Sequence, residues 1–200
     1  MKQRKKQPDQ TRQSILDAAQ QEFSEKGYAG AGLGGIIALS GLTKGALFHH
    51  FQDKRALAKA WIEDRLAPGL TDLWKPADTI RSLSELQELC KTRLTGVHPT
   101  DPISALTLFA AETAARDEIL GDALEAIFTS WRSTLTACIE RGKSEGWIHH
   151  AIQPPLEAAL LVSLFTGFSV TSKAAGGTEL RRQSLIALEG YLETLRAQGS

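Results

Sequence analysis

One stripe of seven residues constrains the fold most. Leu120, Leu124, Ile127, Phe128, Trp131, Leu135 and Cys138 recur at spacings of 4, 3, 1, 3, 4 and 3. That is the period of one buried face of a long helix, not the alternation of a half-buried strand. The same period returns from end to end. Ile15, Leu16, Ala19 and Phe23 form a first stripe, with Asp9 placed to cap it and Gly27 where a helix end favours positive φ. Residues 33–40, 44–50 (capped by Thr43) and a longer segment opened by Asp53 follow, the last carrying Leu57, Trp61, Ile62 and Leu66 and ended or kinked by Pro68. Residues 82–94 form another. Asp101-Pro102 is a cap followed by a first-turn proline, and the long stripe stops near Gly146. Pro154-Pro155 opens a helix so apolar through Val170 that two layers should cover it, with Gly176-Gly177 breaking it. Thr178 caps a last helix whose Leu185, Leu188, Leu192 and Leu195 repeat 3, 4, 3, a seam for a partner helix. No segment reads as a strand or a repeat. The spacing predicts an all-α fold of about nine helices, an N-terminal head of three helices and a helical remainder.

Composition agrees with a folded domain: 42% hydrophobic and 23% charged residues over 200 positions. Two cysteines, Cys90 and Cys138, are too few for a disulfide scaffold, and both fall on apolar stripes as small hydrophobes. No apolar region follows the basic N-terminus, and the run from Ala158 to Val170 is short and interrupted, so a cytoplasmic protein with no membrane partner is expected. The net charge of zero hides an asymmetry. Residues 1–65 carry 11 Lys and Arg against 7 Asp and Glu, and the remainder carries 12 against 16. A basic head on an acidic body suits anion binding. Residues 1–8, with Lys2, Arg4, Lys5 and Lys6, read either as a disordered tail or as an arm along DNA.

Two short helices joined through Gly41 in this basic region make a helix-turn-helix pattern. Thr43 and Lys44 then stand at the N-terminus of the second helix, the end that such modules place in the major groove. Backbone N–H groups and a lysine there suit phosphate and base-edge acceptors, Gly45 permits close approach, and Phe48, His49 and His50 flank the helix.

These residues carry a resemblance. Residues 11–19, then Phe23, Lys26-Gly27-Tyr28, Ile36, the run 40–51, Lys54 and Leu57 follow the order and spacing of the TetR family of bacterial transcriptional repressors. The stretch from Gly146-Trp147-Ile148 to Pro154-Pro155-Leu156-Glu157-Ala158 resembles the family's link between its seventh and eighth helices. The resemblance implies a homodimer through the last two helices, a DNA-binding domain at 9–55 and a ligand-binding and dimerisation domain at 56–200. It implies DNA contacts at Thr43, Lys44, Gly45, Phe48, His49 and Lys54, the last with a phosphate. The chain also departs from the family pattern. Gly30 to Gly35 replaces a capped second helix, interior glycines costing about 1 kcal/mol each. Phe48 replaces a tyrosine, which removes a hydroxyl hydrogen bond worth about 1 kcal/mol.

The expected function is a ligand-responsive repressor, dimeric on a palindromic operator of double-stranded DNA and released by a small, mainly hydrophobic effector. Trp61, Leu106, Phe109, Phe128, Trp131 and Phe165 are the candidate effector contacts. Glu112 and Thr113 are candidate polar contacts, or solvent-facing residues. With no arginine or lysine on an inward stripe, phosphorylated effectors are not expected. Two rivals stand beside this reading: a helical binding protein whose glycine-rich head binds DNA weakly or not at all, and a regulator with a fully packed, ligand-free body. His49-His50 and His149-His150 lack metal-ligand spacing, His98 reads as a loop residue, and no cofactor is implied. No nucleophile elbow or phosphate-binding loop is present, so no catalysis is expected.

Overall fold

The structure, a computed structural model, describes residues 6–95, 101–174 and 178–197. The first five residues, His98 and Gly176-Gly177 lie outside them. Among the described residues there are nine helices: α1 (Lys6–Gly30), α2 (Leu33–Ser40), α3 (Lys44–His50), α4 (54–74), α5 (Leu83–Thr95), α6 (Pro102–Thr113), α7 (Glu118–Ser144), α8 (Pro154–Ala174) and α9 (Thr178–Glu193). The sole β pairing among these residues is an isolated bridge between Ile148 and Arg196. The helices group into two compact units, residues 1–69 with 99–125 and residues 70–98 with 126–200. The unit that holds the helix-turn-helix therefore reaches beyond residue 55.

In the first unit, Ile15, Leu16, Ala19 and Phe23 are buried, and Ile36, Leu47, Leu57 and Trp61 of the next three helices are buried with them. Helix α1 starts at Lys6, earlier than a cap at Asp9 would allow, so Asp9 lies inside the first turn. Pro8 is tolerated there because first-turn N–H groups need no intrahelical partner, and Asp9 suits the positive end of the helix. Gly27 has φ 69 and kinks α1 before its last turn. Pro68 does not end α4. The turn ahead of it, Ile62–Leu66, is π-helical, and the helix continues as Ala67–Trp74. A π-turn absorbs the N–H that proline lacks.

In the second unit, Leu83, Leu86, Cys90 and Leu94 of α5 are buried, as are Trp131, Leu135, Cys138 and Ile139 of α7, Leu161 and Phe165 of α8, and Leu188 and Leu192 of α9. Two expectations are corrected here. Residues 154–172 are long and apolar enough to cross a membrane by length and composition, and within this single chain one face of α8 is covered. Leu156, Leu160, Leu164 and Val170 are exposed, because only one face packs inward. The leucine seam of α9 faces its own subunit, with Leu188, Leu192 and Leu195 buried and α9 packed on α5. Arginines also reach inward. The Nε of Arg93 is buried without a partner among the described residues, and the guanidinium of Arg141 donates to the carbonyls of Ala77 and Ile80. A long stem lets a cation on a polar flank turn into the fold.

Candidate DNA-binding and effector sites

Helix α3 takes its position from three local features. Gly41, at φ 66, makes the turn that α2 needs at its C-terminus. Thr43 caps α3, its Oγ1 accepting the N–H of Ala46 at 3.2 Å. Leu47 is buried and fixes which face looks inward. The opposite face then presents Thr43, Lys44, Gly45, Phe48 and His49 to solvent. Phe48 is 42% exposed, and the Lys44 ammonium lies 5.7 Å from its ring centre. A cation, an exposed ring and the free N–H groups of a helix start share one surface.

Lys54 is placed differently. Asp53 caps α4 by accepting the N–H of Ala56 at 2.7 Å, which sets Lys54 at the helix start. Its ammonium sits 4.7 Å from the ring centre of Tyr28, half-buried. Desolvation lowers its pKa, opposed by the charges of Glu112 and Glu22.

Two glutamates hold the turns that lead into the reading helices. Glu22, 4% exposed, takes Lys26 at 2.8 Å and accepts the N–H of Gly32 at 3.2 Å. The Lys26 hydrogen bond, helped by that of Gly32 and opposed by burial, holds its carboxyl below the usual range. Its Oε1 lies 2.5 Å from where a Cβ on residue 35 would stand, so Gly35 is a close-approach glycine. Gly34 has open space instead. Glu112, half-buried on α6, accepts the N–H of Ala29 at 3.0 Å, so its carboxylate is engaged with the end of α1. The Oγ1 of Thr113 donates back to the carbonyl of Phe109.

The six candidate effector residues divide between the units. Trp61 and Phe109 lie 4.7 Å apart by ring centre, each about as close to Phe23, with Tyr28 5.7 Å from Phe109. Leu106 is buried on the same helix as Phe109. The Trp61 indole donates to Gln20 at 2.6 Å, so this cluster is a satisfied aromatic core. In the second unit Trp131 and Phe165 lie 6.2 Å apart, and Phe128 is half-buried. A residue not anticipated from sequence joins them: Trp74, 5.4 Å from Trp131 and 5.0 Å from Phe165. Its signal was the spacing Leu66, Leu70, Trp74, visible only if α4 is carried past Pro68. Cys90 and Cys138 are buried, and burial pushes their thiols up to about 12 and about 11, which keeps both protonated. The rings of His49 and His50 lie 5.2 Å apart and those of His149 and His150 4.3 Å apart, and no group of three metal-ligating side chains occurs among the described residues.

The chain was compared with known proteins. A family model described as bacterial regulatory proteins, tetR family, matches residues 15–61, and one described as a tetracyclin repressor-like C-terminal domain matches residues 84–188. The HTH-type transcriptional regulator LmrA of Bacillus subtilis is 33% identical over 172 residues, covering 77% of this chain and 86% of its own length. The HTH-type transcriptional regulator AcrR of Shigella flexneri is 26% identical, covering 96% of this chain and 79% of its own length. Among solved structures, a TetR-family regulator from Cytophaga hutchinsonii superposes with a TM-score of 0.84 at 18% identity, over 96% of this chain and 98% of that one.

Proposed function

The chain belongs to the TetR family of transcriptional regulators, a family of ligand-responsive DNA-binding repressors, and from that premise we propose how its own residues serve that function. The DNA-reading head is residues 9–55, and its reading surface is the exposed face of α3. Thr43, Lys44 and Gly45 meet base edges and phosphates at the helix start, while Phe48 and His49 run along the groove. The observation that carries this reading is the pairing of a buried Leu47 with an exposed Thr43, Lys44, Gly45, Phe48 and His49 on one short capped helix. Lys54 steadies the head through Tyr28 and completes a phosphate contact only when DNA draws its ammonium outward. The rival reading, a head too rich in glycine to bind DNA, loses part of its ground at Gly35, whose missing side chain makes room for Glu22.

The body, residues 56–200, binds the effector and a second copy. The exposed Leu156, Leu160 and Leu164 of α8 lie one turn apart, and Ile186 is exposed on α9. Beside them runs a groove of about 480 Å³ lined by Leu160, Leu164, Phe168, Ala187 and Tyr191 among others. Contiguous apolar surface of this kind marks an interface, and the last two helices of a second copy fit it. Two heads so joined read the half-sites of a palindrome in the cytoplasm. A small, mainly hydrophobic effector that favours the head spacing unable to span both half-sites lowers operator affinity by its differential binding. The hold of α6 on α1, through Glu112 on Ala29 and Phe109 on Tyr28, lies within the unit that carries the head and fixes the end of α1.

The test is selection of duplexes from a random library by the full chain. A palindromic motif should be enriched. Recovery of unrelated sequences at equal yield would favour the rival without DNA-reading function.

A further inference from the structure

Among the described residues of α1 to α4, two large apolar side chains are exposed: Leu39 at the end of α2 and Phe48 on the outer face of α3. Phe48 stands on the helix that carries the exposed lysine. Lys44 and Phe48 are four residues apart, so they lie on one stripe of that face. The ammonium is 5.7 Å from the ring centre, a cation–π contact that holds a donor and an apolar ring side by side. The ring has no hydroxyl, so it gives DNA no conventional hydrogen bond. It can only bury apolar surface.

The major groove presents one apolar group on a base edge, the 5-methyl of thymine. An acceptor, O4, stands on the neighbouring ring carbon of the same base. No other base edge sets a methyl beside an acceptor. Cytosine turns an amino donor toward an approaching ammonium. Purines give a lysine its acceptors but leave the ring against polar atoms.

We infer that Lys44 and Phe48 act as one thymine reader: the Phe48 ring covers the 5-methyl group, and the Lys44 ammonium donates to O4 of the same base. This rests on the reading of α3 as the DNA-reading helix and adds a base identity to it, one thymine in each half-site. The cation–π contact sets the spacing of donor and ring before DNA arrives, so less side-chain freedom is lost on binding. A ring lying along the deoxyribose instead would be indifferent to the methyl group.

The probes are duplexes of the selected palindrome in which each thymine in turn is replaced by 2′-deoxyuridine, which lacks only the methyl. Affinity of the full chain is read by fluorescence anisotropy. At one thymine position the replacement should weaken binding about fourfold per half-site, the worth of one buried methyl. Phe48→Ala should bind the thymine and uridine duplexes equally at that position. Lys44→Ala should bind both more weakly, because uridine keeps O4. Both side chains are exposed, so neither variant disturbs the core. Three results overturn the thymine reader while leaving the head a DNA reader: no thymine whose methyl matters, a full preference retained in Phe48→Ala, or unchanged affinity in Lys44→Ala. Failure of the unsubstituted chain to bind any palindrome overturns both readings.

Discussion

Glu112 occupies the space that a side chain on residue 27 would need. Its Oε1 lies 2.6 Å from the position of a Cβ there, and its other oxygen accepts the N–H of Ala29. A carboxylate on α6 is thereby seated on the kink of α1, and the kink exists because Gly27 adopts φ 69. Backbone conformation, close approach and hydrogen bond depend on one another.

Gly27→Ala should therefore be costly. A left-handed non-glycine residue loses about 1–2 kcal/mol, and the methyl must also displace the carboxylate. Urea denaturation should show at least that loss, and Glu112→Ala should lose about 1 kcal/mol through the freed N–H of Ala29. Glu112→Gln keeps an acceptor oxygen and should lose less. Wild-type stability in Gly27→Ala would contradict this account of the kink.

Adjacent glycines of α2 should respond differently. Gly34 has open space where a methyl would stand, so Gly34→Ala should gain roughly 0.5–1 kcal/mol from helix propensity. Gly35→Ala must push Glu22 away from Lys26 and Gly32, so it should gain nothing or lose stability. Thermal unfolding of the two variants checks the order. Equal gains at both positions would mean that Glu22 moves aside freely.

Glu22 also sets a pH dependence. Its carboxyl is held below its ordinary value of 4.5, chiefly by the Lys26 hydrogen bond. A group depressed in the folded state stabilises above its unfolded value and loses that contribution as pH falls toward the folded one. Glu22→Gln should therefore flatten the loss of stability below pH 4.5 and leave its slope near neutrality unchanged. Parallel acid-unfolding curves for variant and wild type would count against the depressed carboxyl.

Much of this was legible from residue order. The bounds of α2 and α3, the caps at Thr43, Asp53 and Asp101, the positive φ of Gly27 and the turn at Gly41 all follow from local chemistry that acts over four residues or fewer. What was not legible depends on distant partners. Gly35 looks like a weak helix residue until Glu22, 13 positions earlier, is seen in its place. Lys54 looks like a free phosphate contact until Tyr28 and Glu112 close around it. Trp74 was hidden because Pro68 signals a stop, and a π-turn overrides that signal. The leucine repeat of α9 has the spacing of a seam, but spacing does not say whether its partner is the same chain or another.

That last point decides how the dimer should be probed. Leu188 and Leu192 are buried in their own subunit, so charging them should unfold it, not merely separate two copies. Leu160→Glu with Leu164→Glu, on the exposed stripe of α8, should leave a helical monomer by light scattering and circular dichroism. A folded dimer in that double variant would place the interface elsewhere.

The central claim, that the start of α3 reads an operator, is tested most directly at Lys44. Affinity for the selected palindrome should be measured across a salt series for wild type and Lys44→Ala. The variant should lose about 1–3 kcal/mol of binding, and if the contact is to phosphate its log–log salt slope should fall by about one. Identical affinity and slope in the two proteins would remove Lys44 from the contact surface and contradict the proposed orientation of the head.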